Sequence, residues 1–338
     1  MITNARVLQA DFVPADVEHR HEEINRLSAA LDPLLDGDPA ENAFLFGPTG
    51  VGKTCVSRFT LQQLQRKLLD VRVQHVNCWQ DHTRFRLLYR LLDGIDRTVD
   101  IHRRSTPHDL LLERLREADD HPYVVVLDEV DQLADKRVLY DLERLPHLTM
   151  VCIANREADL FAGLDERVRS RLSGGPHIQF DRYTLAELTA ILRDRVDEGF
   201  EPGAVPEGLL ADIADGAAGD ARVGIHALRT AAREAEAAGR DHLTEADVET
   251  AVPQARSAIR QRTVDSLTDH QRVLYEEVQA ADGIAPRDLY ERYRERVDDP
   301  KSERTLRSYL SKMTQYNLLR AEGQKRGRRY FPVDAGNG

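Results

Sequence analysis

No stretch of this 338-residue chain approaches the roughly 18 consecutive apolar residues of a membrane-spanning helix, so none is expected. The segment Met1-Ile2-Thr3-Asn4-Ala5-Arg6 lacks the apolar core of a secretory signal, so a cytoplasmic protein is expected. Cysteine is scarce. Cys55, Cys78 and Cys152 lie far apart with no CxxC pair, which excludes a disulfide scaffold or a zinc ribbon and fits a reducing compartment. Lysine is scarcer than its sister cation: six lysines stand beside 41 arginines, while 34 aspartates outnumber 24 glutamates. Little lysine with abundant aspartate points to a very salty cytoplasm, where a dense carboxylate surface keeps proteins solvated. A GC-rich genome would give the same bias without salt. Internal repeats and low-complexity tracts are also missing.

What remains is a globular composition, 41% hydrophobic and 31% charged, long enough for two or three domains with separate cores. The net charge of −11 excludes a polycationic nucleic-acid coat. The charge is uneven, however. Residues 1–263 sum to −12 and residues 264–338 to +1, and within the latter 301–332 holds nine basic residues against Glu303 and Glu322. The basic locus is therefore local and C-terminal.

Apolar patterning places strands at Ala43–Phe46, Val71–Val76, Tyr123–Leu127, Leu148–Ala154 and Ile178–Phe180. Helical spacing falls between them, at Glu18–Leu31, Thr54–Leu69, 82–93 and 107–118. Strands alternating with helices predict a parallel sheet covered on both faces. After Tyr183 the period is helical to about residue 252, with breaks at 199–208 and 215–220. The polar stretch Pro253–Thr263 reads as a linker or a bridging helix. A helix–helix–helix–hairpin pattern follows from 264.

The strongest chemical signal is Gly47-Pro48-Thr49-Gly50-Val51-Gly52-Lys53-Thr54, a G-x-x-x-x-G-K-[ST] phosphate loop with a strand before it and a helix after it. Its glycines let backbone N–H groups turn toward phosphates, and the helix N-terminus adds positive potential. Lys53 suits the β- and γ-phosphates, and Thr54 suits Mg²⁺. Asp128-Glu129 ends an apolar strand 74 residues beyond Thr54. There Asp128 would complete the Mg²⁺ shell and Glu129 would be general base to the attacking water. Together the two motifs say ATP hydrolysis; the Asn-Lys-x-Asp element of a GTPase is not found. Asn155 ends the next strand, where a polar side chain can orient water. Arg167, Arg169 and Arg171 follow, and one of them could act in trans on a neighbour's γ-phosphate.

Gly-Pro-Thr-Gly-x-Gly-Lys-Thr, Val-Leu-Asp-Glu-Val-Asp, Ile-Ala-Asn, Arg-Val-x-Ser and Gly219-Asp220-Ala221-Arg222 occur here in the order found in the AAA+ superfamily. More narrowly the chain resembles the archaeal replication-initiator family, relatives of eukaryotic origin-recognition and helicase-loader ATPases. Phe12-Val13-Pro14 with Arg20, Glu23 and Ile24, and Leu289–Tyr293, resemble that family too. The resemblance implies sensor roles for Asn155 and Arg222 and an arginine finger at Arg167 or Arg171. It also implies a nucleotide site that takes in Val13, Pro14, Cys55 and Tyr183 beside the phosphate loop. Cys55 reads as a small buried side chain and not as a nucleophile. Two departures stand out: Arg182-Tyr183 replaces the Pro-Tyr common in the family, and Gly224 inside the Arg222 helix loosens it by about 1 kcal/mol relative to alanine.

In the C-terminal module, Ser302 is a plausible N-cap. The helix after it buries Leu306, Leu310 and Met313 and offers Arg304, Arg307, Ser308, Ser311 and Gln315, with Lys312 beside them, to a major groove. Leu318–Glu322 and Arg328–Phe331 pair as a hairpin whose Lys325, Arg326, Arg328 and Arg329 suit phosphates or a minor groove. The expected architecture is an AAA+ parallel-sheet α/β domain over 1–180, a helical lid over 181–255 and a winged helix over 264–338. The expected activity is slow, switch-like ATP hydrolysis with Mg²⁺ in an origin-binding initiator. Its expected partners are double-stranded origin DNA, a replicative helicase and copies of itself on DNA, in the nucleoid-associated cytoplasm and without a membrane. The alternatives are a nucleotide-bound regulator or plasmid-maintenance protein, and a clamp-loader subunit, which would carry a helical collar where this chain has its basic module.

Overall fold

The computed structural model describes residues 1–102, 106–118, 121–323 and 327–333. The chain divides into two compact units: 4–199 with 218–221, and 1–3 with 200–217 and 222–338.

The first unit is a five-stranded parallel sheet between helices. In chain order it runs α1 (His21–Leu31), β1 (Ala43–Phe46), α2 (Lys53–Lys67), β2 (Arg72–Asn77), α3 (Arg84–Asp93), α4 (His108–Arg116), β3 (Tyr123–Asp128), α5 (Arg137–Glu143), β4 (Leu148–Ala154), α6 (Glu157–Phe161), α7 (Glu166–Leu172), β5 (His177–Gln179) and α8 (Leu185–Gly199). The strand order is β2-β3-β4-β1-β5, with every pairing parallel. Successive side chains leave opposite faces of a strand, and here both faces are covered. Phe44, Phe46, Val125, Leu127, Met150 and Cys152 join one core with leucines of α3, α4 and α5. Leu45, Val124, Val126, Val151 and Ile153 join a second with Leu27, Leu31, Val56 and Leu61 of α1 and α2. Double coverage is why β1, β3 up to Leu127 and, apart from Thr149, β4 are apolar and do not alternate.

Among its described residues the second unit is mainly helical, with one hairpin. It contains α9 (Glu207–Ala217), nearly all of α10 (Ala221–Ala237), α11 (Glu245–Asp265), α12 (Asp269–Gln279), α13 (Pro286–Arg296), α14 (Glu303–Gln315), β6 (Leu319–Glu322) and β7 (Arg329–Pro332). Ser302 caps α14 by accepting the Thr305 N–H at 3.3 Å, and Leu306, Leu310 and Met313 are fully buried. β6 and β7 pair antiparallel, from Leu319 opposite Pro332 to Glu322 opposite Arg329, and Ile284 adds a bridge to Tyr330.

The structure moves several boundaries. α1 starts at His21 and not at Glu18, because His19 takes a left-handed φ of 61°. β2 and β5 slide by one residue, to Arg72–Asn77 and His177–Gln179. A turn at 238–244, through Gly239 at φ 73°, separates α10 from α11. The 253–263 stretch is helix, continuous with the segment before it despite Pro253. Pro253 is exposed, so the carbonyl it leaves without an N–H partner faces water.

Candidate nucleotide site and basic C-terminal face

β1 delivers the chain to Gly47, and α2 begins six residues later at Lys53. Two loop glycines are structurally required. Gly52 caps α2 at φ 93°, and a Cβ there would stand 2.5 Å from the Tyr183 hydroxyl. Gly50 has φ 78°, and a Cβ there would collide with the Asp220 carboxylate. The Gly50 carbonyl also accepts the Ala221 N–H at 3.0 Å, and the Gly47 N–H donates to the Asn155 carbonyl at 3.3 Å. The loop is thus held open from two sides by backbone far away in sequence.

Lys53 is buried, and its Nζ donates to the carbonyls of Gly47 and Pro48 at 2.6 Å each. A buried ammonium at the N-terminus of a helix is a seat for a polyanion. Thr54 Oγ1 donates to Asp128 Oδ2 at 2.8 Å. Burial pushes the Asp128 carboxyl above its usual range, against the Thr54 hydrogen bond and the Lys53 charge, which pull it down. A hydroxyl and a buried carboxylate brought together offer the oxygen ligands a hard divalent cation takes, and the cation would offset the carboxylate's desolvation. The donor set therefore fits Mg²⁺. Glu129 is half-buried and held at φ 56°, ψ 41°, a left-handed conformation that costs a non-glycine residue on the order of 1–2 kcal/mol.

Val13 and Pro14 lie half-buried in the loop before α1, and Cys55 lies half-buried in α2. Burial raises the Cys55 thiol, which makes it a poor nucleophile at neutral pH. Tyr183 is buried, with the Arg20 guanidinium 4.2 Å over its ring. Arg167 and Arg171 are exposed on α7, and Arg171 donates to the Tyr140 hydroxyl at 3.0 Å. Arg222 is the second residue of α10 and belongs to the other compact unit.

Sequence reasoning assigned no role to Arg20, Asp220 or Arg195. Arg20 donates to the Asp181 carbonyl at 2.7 Å and to Glu23 at 2.8 Å. Arg195 is buried and lies 4.6 Å over the Phe12 ring. The one available signal was that Phe12, Arg20 and Asp220 all fall inside motifs already singled out.

Arg304, Arg307, Ser308 and Ser311 are exposed on α14, opposite its buried face, and Lys312 is partly covered. Arg328 and Arg329 are exposed at the start of β7. Lys325 and Arg326 lie outside the described residues.

Residues 17–151 match the AAA ATPase domain model and residues 189–253 the Cdc6 AAA+ ATPase-type lid domain model. ORC1-type DNA replication protein 1 of Halobacterium salinarum is 53% identical over 308 residues, covering 91% of this chain and 100% of that protein. ORC1-type DNA replication protein 9 of the same organism is 48% identical over 335 residues, 99% of this chain and 95% of that one. Among solved structures, the Aeropyrum pernix ORC1 protein in complex with DNA is similar at a TM-score of 0.78 and 25% identity, covering 98% of this chain and 94% of that one. An AAA+ sheet, a phosphate loop, a helical lid and relatives of this kind together place the chain in the ORC1-type family of archaeal DNA replication proteins, the AAA+ ATPases of replication initiation.

Proposed function

We propose that the protein is an ATP-dependent replication initiator that binds duplex DNA at an origin and helps recruit or load the replicative helicase. The observation that carries the DNA half is α14. One of its faces is fully buried on Leu306, Leu310 and Met313, while the other projects Arg304, Arg307, Ser308 and Ser311 beside a hairpin bearing Arg328 and Arg329. That arrangement supports reading the module as a winged helix, with a recognition helix for the major groove and a wing for the backbone. The similarity to an ORC1 protein solved with DNA supports the same reading. The domains are taken as 1–180 for nucleotide binding, 181–255 for the lid and 264–338 for the winged helix.

In the nucleotide half, Gly47–Thr54 cradles the phosphates of ATP, and Lys53 neutralises the β/γ charge. Thr54 and Asp128 hold the Mg²⁺, which when bound draws charge off the phosphoryl oxygens. Glu129 accepts the proton of the attacking water, and Asn155 orients that water. Tyr183, Val13, Pro14 and Cys55 border the nucleoside. Arg222 acts as lid sensor, and Arg167 or Arg171 acts in trans when copies assemble on DNA. Hydrolysis is slow and switches the protein between states in the nucleoid-associated cytoplasm.

Crosslinking the protein to its genome and mapping the bound sites tests the reading. Binding concentrated at repeats where replication begins is expected; binding scattered over promoters makes the protein a regulator instead.

A further inference from the structure

A cleft of about 550 Å³ opens where α13, α14 and the start of β7 meet. Four guanidinium groups line it, from Arg287, Arg294, Arg307 and Arg328, against two carboxylates, Glu291 and Glu303. Glu303 is shared: Arg294 of α13 donates to it at 2.9 Å, and Arg307 of its own helix lies 3.4 Å away. Arg287 is answered by Glu291 at 3.3 Å. Arg328 has no acidic partner among the described residues.

A second observation points to an absent acceptor. Tyr290 lines the same cleft and is 4% exposed, yet no acceptor among the described residues stands within reach of its hydroxyl hydrogen. The Arg307 guanidinium approaches that hydroxyl as a hydrogen-bond donor and so cannot accept its hydrogen. Buried hydroxyl donors are nearly always satisfied, so an O–H without an acceptor inside an arginine-lined cleft calls for an anionic oxygen. A carboxylate offers two oxygens, and Glu303 already divides its own between two arginines. A phosphodiester presents oxygens to several donors at once and suits guanidinium forks. The Arg294–Glu303 and Arg307–Glu303 pairs are solvent-exposed, and such pairs contribute little, so they exchange readily for a stronger acceptor.

We propose that this cleft seats a backbone phosphate of duplex DNA and that Glu303 is its resident occupant in the DNA-free protein. On binding, Arg294 releases Glu303 and turns to the phosphate, joined by Arg328 and the Tyr290 hydroxyl, while Arg307 is freed from Glu303 for the groove. Glu303 then competes with every duplex equally, so it lowers general affinity and leaves sequence choice to the groove-facing residues. The inference rests on the reading of this module as a duplex binder.

The test is fluorescence anisotropy of the full chain on an origin duplex and a scrambled duplex across a salt series. Glu303→Gln is expected to tighten both duplexes several-fold and by similar factors, while Glu303→Asp keeps wild-type affinity. Arg294→Gln and Tyr290→Phe are expected to weaken both about equally, and Arg294→Gln lowers the slope of log K against log salt by about one. Unchanged melting temperatures in all four variants show that the effects are not unfolding. Should the wild type bind no duplex, the reading of the module fails. Should it bind while Glu303→Gln leaves affinity unchanged or weaker, or Arg294→Gln leaves the salt slope unchanged, the phosphate seat alone is overturned.

Discussion

The hydroxyl of Thr54 donates to the carboxylate of Asp128 at 2.8 Å, joining the first turn of α2 to the end of β3 across 74 positions of chain. Neither residue alone distinguishes a nucleotide enzyme from an ordinary glycine-rich turn. Their convergence supports the reading of a nucleotide site, because it pairs a hydroxyl with a desolvated carboxylate, the oxygen ligands a divalent cation beside phosphates would take.

Lys53→Ala removes the charge at the centre of the loop. ATP affinity should fall by about 100-fold or more, whereas Glu129→Gln should bind ATP normally and hydrolyse it about 100- to 10,000-fold more slowly. Calorimetric titration with ATP and release of labelled phosphate separate the two. Equal ATP affinity in wild type and Lys53→Ala would remove the loop from the site.

Gly50→Ala adds a methyl group that meets Asp220 at a backbone φ of 78°. The loop or the 218–221 segment must give way, at about 1–3 kcal/mol. A lower thermal midpoint and weaker ATP binding are expected. Asp220→Ala in the same chain should restore part of both, since it removes the collision but not the φ strain.

Asp247 supplies an acid-sensitive anchor in the second unit. Its carboxylate accepts from Arg240 at 2.6 Å and from the Thr244 N–H at 2.9 Å, and the Arg240 hydrogen bond holds it well below the usual carboxylate range. The folded-state pKa is depressed, so the stabilisation is fully present above the unfolded value near pH 4 and is lost as pH falls below it. Asp247→Asn should cost about 2–3 kcal/mol near neutrality. Denaturant midpoints at constant salt should show the gap to wild type closing below pH 4; a gap independent of pH would mean that packing, not charge, anchors this turn.

On DNA, Arg304→Ala should relax the choice of sequence, while neutralising Arg328 and Arg329 should weaken all duplexes about equally. Footprinting each variant on one origin fragment reads both effects. Loss of only non-specific binding in Arg304→Ala would invert this division of labour.

Much of the first unit was legible because its strands are buried on both faces: β1 and β4 are where unbroken apolar runs put them, and β3 runs one residue further, to Asp128. The phosphate loop was legible because its chemistry is local. α5, α6 and α7 were not, since helices of five to seven residues carry too few periods to register and owe their shape to packing on the sheet. Asp220 beneath Gly50, and Arg20 reaching Asp181 across 161 positions, are products of tertiary approach that no spacing rule encodes. Pro253 left a linker and a bridging helix both open, and the second holds: a residue that usually ends helices sits on the wet side of one and leaves it whole.

That unbroken α11 has a mechanical consequence. At about 1.5 Å per residue its 21 residues form a rod of roughly 30 Å, running from the turn after α10 to the threshold of α12. A rod transmits twist where a flexible tether would dissipate it, so whatever turns one end of α11 turns the other. Each residue inserted at Pro253–Gln254, where the helix is exposed, would rotate the three-helix module about 100° around the rod axis. Such insertions form a protractor for the coupling, in which duplex grip should survive every insertion while its response to nucleotide rises and falls with the angle.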